Sequence, residues 1–208
     1  MQYLNTKIKL KTHLENKQIF MIIGNGSKNQ FKNLNEIEKI VSDISLQIPT
    51  NSTILYFGDF PNIDKPDIAI VFQLLSKKRK DLDFVMIQVK AAKDWGVPDF
   101  VNHVYWHPTK KNDNGQTIWG GIDVNGNPIS NTKIWYDLHK KNKNINISKV
   151  FILSGGLITL QEFVLIKSLG IPFEYFQVER KFKGDGQTLI SKNDNLKTKI
   201  GDTYHKIK

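Results

Sequence analysis

Four stretches constrain the fold of this chain more than anything else in it: IFMIIG from Ile19, TILYFG from Thr53, FVMIQV from Phe84 and VFILSGG from Val150. Each is apolar without the alternation of a strand that has one wet face. A strand that is apolar on both faces needs cover on both, which is the habit of parallel sheets. The segments between them have helical spacing. Leu34, Ile37, Ile40, Val41, Ile44 and Ile48 recur at helical intervals until Pro49 stops the run. KPDIAIVFQLLSKKRKD places Pro66 near its first turn and a basic end where the helix dipole favours it. ITLQEFVLIKSLG reads as a helix ending at Gly170. This alternation predicts the α/β class: a Rossmann-like three-layer fold, with a mostly parallel sheet of five or six strands and helices on both faces.

The remaining segments fill in that frame. A short strand is expected around Tyr3–Leu10, a fourth strand in VNHVYWH from Val101, and a last one in IPFEYFQVE from Ile171. Residues 108–131 are rich in turns, with Asn114-Gly115 and Asn125-Gly126 as strong turn dipeptides, and QTIWGGIDV between them suits one arm of a hairpin. SNTKIWYDLHKKNK follows as a helix, capped by Ser130 or Asn131. Residues 1–182 therefore read as a single domain with a turn-rich insertion near 108–130. Residues 183–208 read as a polar, basic tail that is partly disordered.

Composition excludes several classes. Hydrophobic residues make up 39% and charged residues 24%, which is ordinary for a globular domain. No run of about 18 apolar residues indicates a membrane span. The amino terminus has no continuous apolar segment of the signal-peptide kind, so the expectation is a cytoplasmic protein with no membrane partner. The absence of cysteine excludes disulfides and thiolate metal sites. The formal net charge of +10 comes almost wholly from lysine, since Arg79 and Arg180 are the only arginines. Lysine is a point charge, whereas arginine is the forked reader of phosphates and bases. The charge therefore predicts attraction to anions, as solvated surface, a small anionic ligand or nucleic acid, without sequence reading.

In a doubly wound sheet, ligands bind beyond the carboxyl ends of the strands. Three glycine-bearing strand ends should share that rim: Gly24-Asn25-Gly26-Ser27, Gly58-Asp59 and Ser154-Gly155-Gly156. In the first, glycines let backbone N–H groups approach a phosphate, and Ser27 or Asn29 can add a hydrogen bond; a plain strand-to-helix turn is the structural alternative. Asp59 can accept ribose hydroxyls or simply form a turn. In the third, Thr159 and Glu162 have the T-x-x-E spacing of a capping box, which would explain both without a ligand. The other reading puts a phosphate over the free N–H groups of the helix, with Glu162 facing a sugar or a scissile bond.

FILSGGLITLQEF resembles the signature P-G-G-x-G-T-x-x-E of the LOG-like nucleotide-binding proteins, a group within the wider SLOG superfamily that includes cytokinin-activating phosphoribohydrolases, long mislabelled lysine decarboxylases. The match covers Gly155, Gly156, Thr159 and Glu162, and LGIPFEYF resembles the family's next strand. It is well supported over roughly residues 150–176. The resemblance implies that the glycine turns hold a nucleotide phosphate, that Glu162 works on the ribose and its N-glycosidic bond, and that a homodimer is common. Ser154 stands in place of the motif proline and Ile158 in place of its third glycine, where a β-branched side chain narrows a phosphate pocket. The family's hydrolases carry an arginine on the preceding helix; here Lys133 or Lys140 would have to stand in for it.

Other signals are weaker. His103 and His107 lack the spacing of a helical metal pair, and no H-E-x-x-H is present, so no metal site or cofactor is expected. Asp123, Asn125 and Asn127 resemble the start of a calcium loop, but the glycine comes too early, so the segment reads as a hairpin turn. Tyr105, Trp106, Trp119, Trp135 and Tyr136 form either core or a base-stacking wall. The sequence thus points to binding of a small nucleotide-like anion, with possible phosphoribohydrolase activity through Glu162. The rivals are a non-catalytic nucleotide sensor or sequestering protein, and a lysine-rich nucleic-acid-binding protein.

Overall fold

The computed structural model describes residues 1–24, 30–57 and 66–179. The chain runs through β1 (Gln2–Tyr3), α1 (Lys7–Leu14), β2 (Gln18–Gly24), α2 (Leu34–Gln47), β3 (Thr53–Tyr56), α3 (Ile68–Lys78) and β4 (Asp83–Val89). A 3-10 turn (Lys90–Trp95) leads into β5 (His103–His107). The hairpin β6 (Lys110–Lys111) and β7 (Thr117–Ile118) follows, then α4 (Ser130–Lys141), β8 (Asn146–Leu153), α5 (Leu157–Ser168) and β9 (Phe173–Phe176).

Seven strands form one sheet in the order β1-β5-β4-β3-β2-β8-β9, and every pairing in it is parallel. The expected five or six strands become seven through the two-residue β1. The continuous apolar runs are explained by two cores, one on each face. Ile19, Met21 and Ile23 of β2 pack with Leu10, Leu14, Trp135, Leu138 and Phe163 from α1, α4 and α5. Phe20 and Ile22, pointing the other way, pack with Ile37, Val41, Val71 and Phe72 from α2 and α3. Full burial of each such side chain contributes about 1.5–3 kcal/mol. Asn33 caps α2 by accepting from the N–H groups of Asn35 and Glu36, and Asp67 caps α3 through that of Ala69. No helix among the described residues is long and apolar enough to cross a membrane.

The first element departs from expectation. Only Gln2 and Tyr3 pair as a strand, against β5, and Lys7–Leu14 is helical. The alternation that suggested a strand came from Ile8, which is 76% exposed. The residues that matter are Leu10 and Leu14, fully buried and one helical turn apart, behind a Thr6 cap. The turn-rich insertion is a hairpin as read, β6–β7, with Gly115 at positive φ. Asp123 accepts from the backbone of Asn125 and Asn127, so this segment is a turn. The segment 183–208 lies outside the described residues.

Candidate functional site

From β2 the chain builds outward through β3, β4 and β5, then returns to place β8 on the opposite side of β2. The order reverses between β2 and β8, and that is where doubly wound sheets bind ligands. Gly24 ends β2, and Ser154-Gly155-Gly156 follows β8, so both strand ends stand at this switch point. They touch. The Thr159 hydroxyl donates to the carbonyl oxygen of Gly24 at 3.0 Å. A Cβ on Gly24 would lie 2.4 Å from the carbonyl oxygen of Leu153, and one on Gly155 would lie 2.4–2.6 Å from the side chain of Thr159. Gly155 also has φ +144°. Asn25, Gly26, Ser27, Asn29, Gly58 and Asp59 lie outside the described residues.

Ser154, in the position of the motif proline, is fully buried with φ +47°. Its hydroxyl donates to the carbonyl of Val178 at 3.0 Å and accepts from the Val178 N–H at 2.8 Å. It therefore ties the turn to the segment after β9. Ile158 is 41% exposed and leans toward Gly120 and Gly121 of the insertion.

The capping-box reading of Thr159 and Glu162 is overturned. Helix α5 begins at Leu157 behind Gly156, and no side chain among the described residues caps it. Thr159 and Glu162 are thus its third and sixth residues. Their spacing puts them near one helix face, where each meets a partner far away in sequence. Oε1 of Glu162 accepts from the Thr132 hydroxyl at 2.8 Å and from the Trp135 indole N–H at 3.2 Å, both on α4. The Thr132 oxygen in turn accepts from the N–H of Gly121 at 2.6 Å. Glu162 keeps a strip of accessible surface but sits deep among packed atoms. Burial pushes its pKa up, and the two neutral donors only partly oppose this.

The expected cap at the start of α4 is also absent. Ile129 occupies that position, without a side-chain bond. Asn131 instead joins a buried chain of polar groups beside Glu162. Its Nδ2 donates to Oε1 of Gln88 at 2.9 Å, and its Oδ1 is 2.6 Å from Nε2 of His107. Gln88 and His107 stand at the carboxyl ends of β4 and β5. Burial lowers the pKa of His107, against hydrogen bonds to Asn131 and to the carbonyl of Pro108 that favour the protonated ring. Trp119, whose carbonyl accepts from the Asn131 N–H, has its ring centroid 4.9 Å from that of Trp95. Trp95 is 46% exposed. Trp135 and Tyr105 are core.

Sequence reasoning missed Gln88, Thr132 and Trp95, and weighed His107 only as a metal ligand and Asn131 only as a cap. A polar residue at the last or next-to-last position of a buried strand was the available signal for Gln88 and His107. The others depend on contacts that span the insertion. Lys133 turns elsewhere: its ammonium is 3.2 Å from Oδ2 of Asp137, and it lines a cavity of about 450 Å³ with Lys110, Lys140 and Lys141 that Glu162 does not line. Arg79 is engaged with the carbonyls of Ser45 and Ile48 and with Asp81, before the start of β4. His103 and His107 sit at opposite ends of β5 and do not pair.

No protein-family model matches the chain, and no curated protein matches it.

Proposed function

We propose that the rim at the β2–β8 switch point binds a nucleotide-like anion and that Glu162 is its reactive carboxyl. The observation that carries this is the contact of the Gly24 and Gly155 turns through Thr159, beside a Glu162 that is held by α4 and not spent on capping α5. The uncapped amino end of α5 offers N–H groups and a positive dipole to a phosphate. The half-exposed Trp95–Trp119 pair offers a face to a base. If the site is catalytic, the reaction is hydrolysis of the N-glycosidic bond of a nucleoside monophosphate, as the LOG-like resemblance implies. The bond from the sugar carbon to the base nitrogen breaks, the base leaves with the electron pair, and water adds to the carbon. Glu162 would stabilise the developing positive charge on the sugar or take the proton of that water.

A non-catalytic sensor of the same ligand class is favoured by one observation. Both donors to Glu162 are neutral, and Lys133 is paired with Asp137. One experiment separates the two: incubate the protein with a panel of nucleoside 5′-monophosphates and record both melting temperature and free base by chromatography. Base release that disappears in Glu162→Gln supports the hydrolase. Stabilisation without release supports the sensor. Neither effect with any member of the panel ends the nucleotide reading.

A further inference from the structure

We propose that His13, Asp83 and His103 form a binding site for a divalent transition-metal cation such as Zn2+, which clamps α1 to the amino ends of β4 and β5. This is the end of the sheet opposite the switch point. His13 comes from α1, Asp83 opens β4 and His103 opens β5. Two imidazoles and a carboxylate are a donor set suited to Zn2+ and its neighbours. One ligand atom from each residue can be chosen so that all lie within 4.8 Å of one another. Nε2 of His13 is 2.8 Å from Oδ2 of Asp83, and Nε2 of His103 is 3.4 Å from Oδ1. Ligand atoms about 2.0–2.2 Å from one metal stand roughly 3–3.5 Å apart, close to both spacings between the histidines and Asp83. The Thr53 hydroxyl, 3.4 Å from Oδ2 of Asp83, helps to orient the carboxylate.

The protons of this cluster do not fit together without a metal. Nζ of Lys17 is 2.9 Å from Oδ2 of Asp83 and 3.0 Å from Nε2 of His13. A proton on Nε2 satisfies Asp83 but faces the ammonium. A lone pair there accepts from the ammonium but faces the carboxylate oxygen. Every tautomer leaves one repulsive edge in the triangle. Nδ1 of His103 is buried and has no hydrogen-bond partner among the described residues. A divalent cation bonded to Nε2 and the carboxylate removes the conflict, while Lys17, about one-third exposed, swings out to water. The four side chains are 18–33% exposed, so an entering ion has access.

Titration of the full chain with Co2+ tests this by its visible absorption, with circular dichroism to confirm folding. The native protein should bind one Co2+ tightly with the bands of a nitrogen- and oxygen-ligated ion. Binding should weaken by roughly tenfold or more in His13→Ala and in His103→Ala. It should tighten by about tenfold in Lys17→Met, which removes the competing ammonium. If His103→Ala does not fold, His13→Ala and Lys17→Met carry the test. Absence of tight binding in the native protein, or binding unchanged by the histidine substitutions, overturns the site. Tight binding by Lys17→Met alone also overturns it, because the native site would then be filled by its own lysine.

Discussion

Each end of the same parallel sheet carries a carboxyl group packed among polar partners, and the two behave in opposite ways. At the amino end, burial pushes the pKa of Asp83 upward, but hydrogen bonds and charge from His13 and Lys17 outweigh it and hold the group at about 2. At the carboxyl end, burial likewise pushes Glu162 upward, and there only the neutral Thr132 and Trp135 oppose it, so it stays raised. Depth in the protein is therefore a poor guide to charge state; the charge of the partners decides. The amino end is an anion held by the Lys17 ammonium and by hydrogen bonds. The carboxyl end is a carboxyl group whose packed surroundings favour its protonated form.

The largest effect is expected from breaking the carboxyl end while sparing the amino end. Gly155→Ala puts a methyl 2.4–2.6 Å from Thr159 at φ +144°. The turn must open, and the bond from Thr159 to Gly24 goes with it. The expected cost is about 3 kcal/mol, read from urea denaturation. Base release or nucleotide stabilisation should be lost, while Co2+ binding through His13 and His103 should persist. Loss of both functions together would show that the two ends are not separable.

Asp83→Asn comes next. It leaves Lys17 without its counter-charge and should destabilise by about 1–2 kcal/mol at pH 7, allowing for partial exposure, measured with a chelator present. The sign follows from a lowered pKa. The stabilisation is complete above the ordinary value of 3.8 and is lost as pH falls towards about 2. The gap between native protein and variant should therefore close across that acid window. A gap that stays constant would mean that Asp83 acts through packing and not through charge.

The layout of the sheet was legible because two-sided burial leaves its mark locally, in runs such as Ile19–Ile23 and Phe84–Val89. Gly24 and Gly155 were legible for the same reason, since a glycine at the end of such a run marks a tight approach. What failed was register within helices and anything made between distant segments. The T-x-x-E spacing of Thr159 and Glu162 fits a cap, but it fits one face of a helix just as well. Only the start of α5 at Leu157, two residues before Thr159, separates the two. Ile8 mimicked a strand because its exposure cannot be seen from alternation. His13, Asp83 and His103 lie in three segments with no common spacing, so their meeting depends on the strand order alone.

Glu162→Gln is the smallest effect and the sharpest test of the comparison, because its sign should be opposite. A raised pKa means that the folded state favours the protonated acid. That contribution is fully present below the ordinary value of 4.5 and is lost as pH rises through the folded value. Glutamine keeps an oxygen to accept from Thr132 and Trp135 but carries no charge into the packed surroundings. The variant should equal the native protein in acid and exceed it modestly, on the order of 1 kcal/mol or less, at pH 8, read from denaturation midpoints at both pH values. The strip of solvent at Glu162 lets the new amide N–H groups reach water, which limits the opposing cost of leaving them unpaired. If Glu162→Gln lowers stability at pH 8 as Asp83→Asn does, the carboxylate is serving as a structural anion at both ends of the sheet. Its claim to be the reactive group falls with that result.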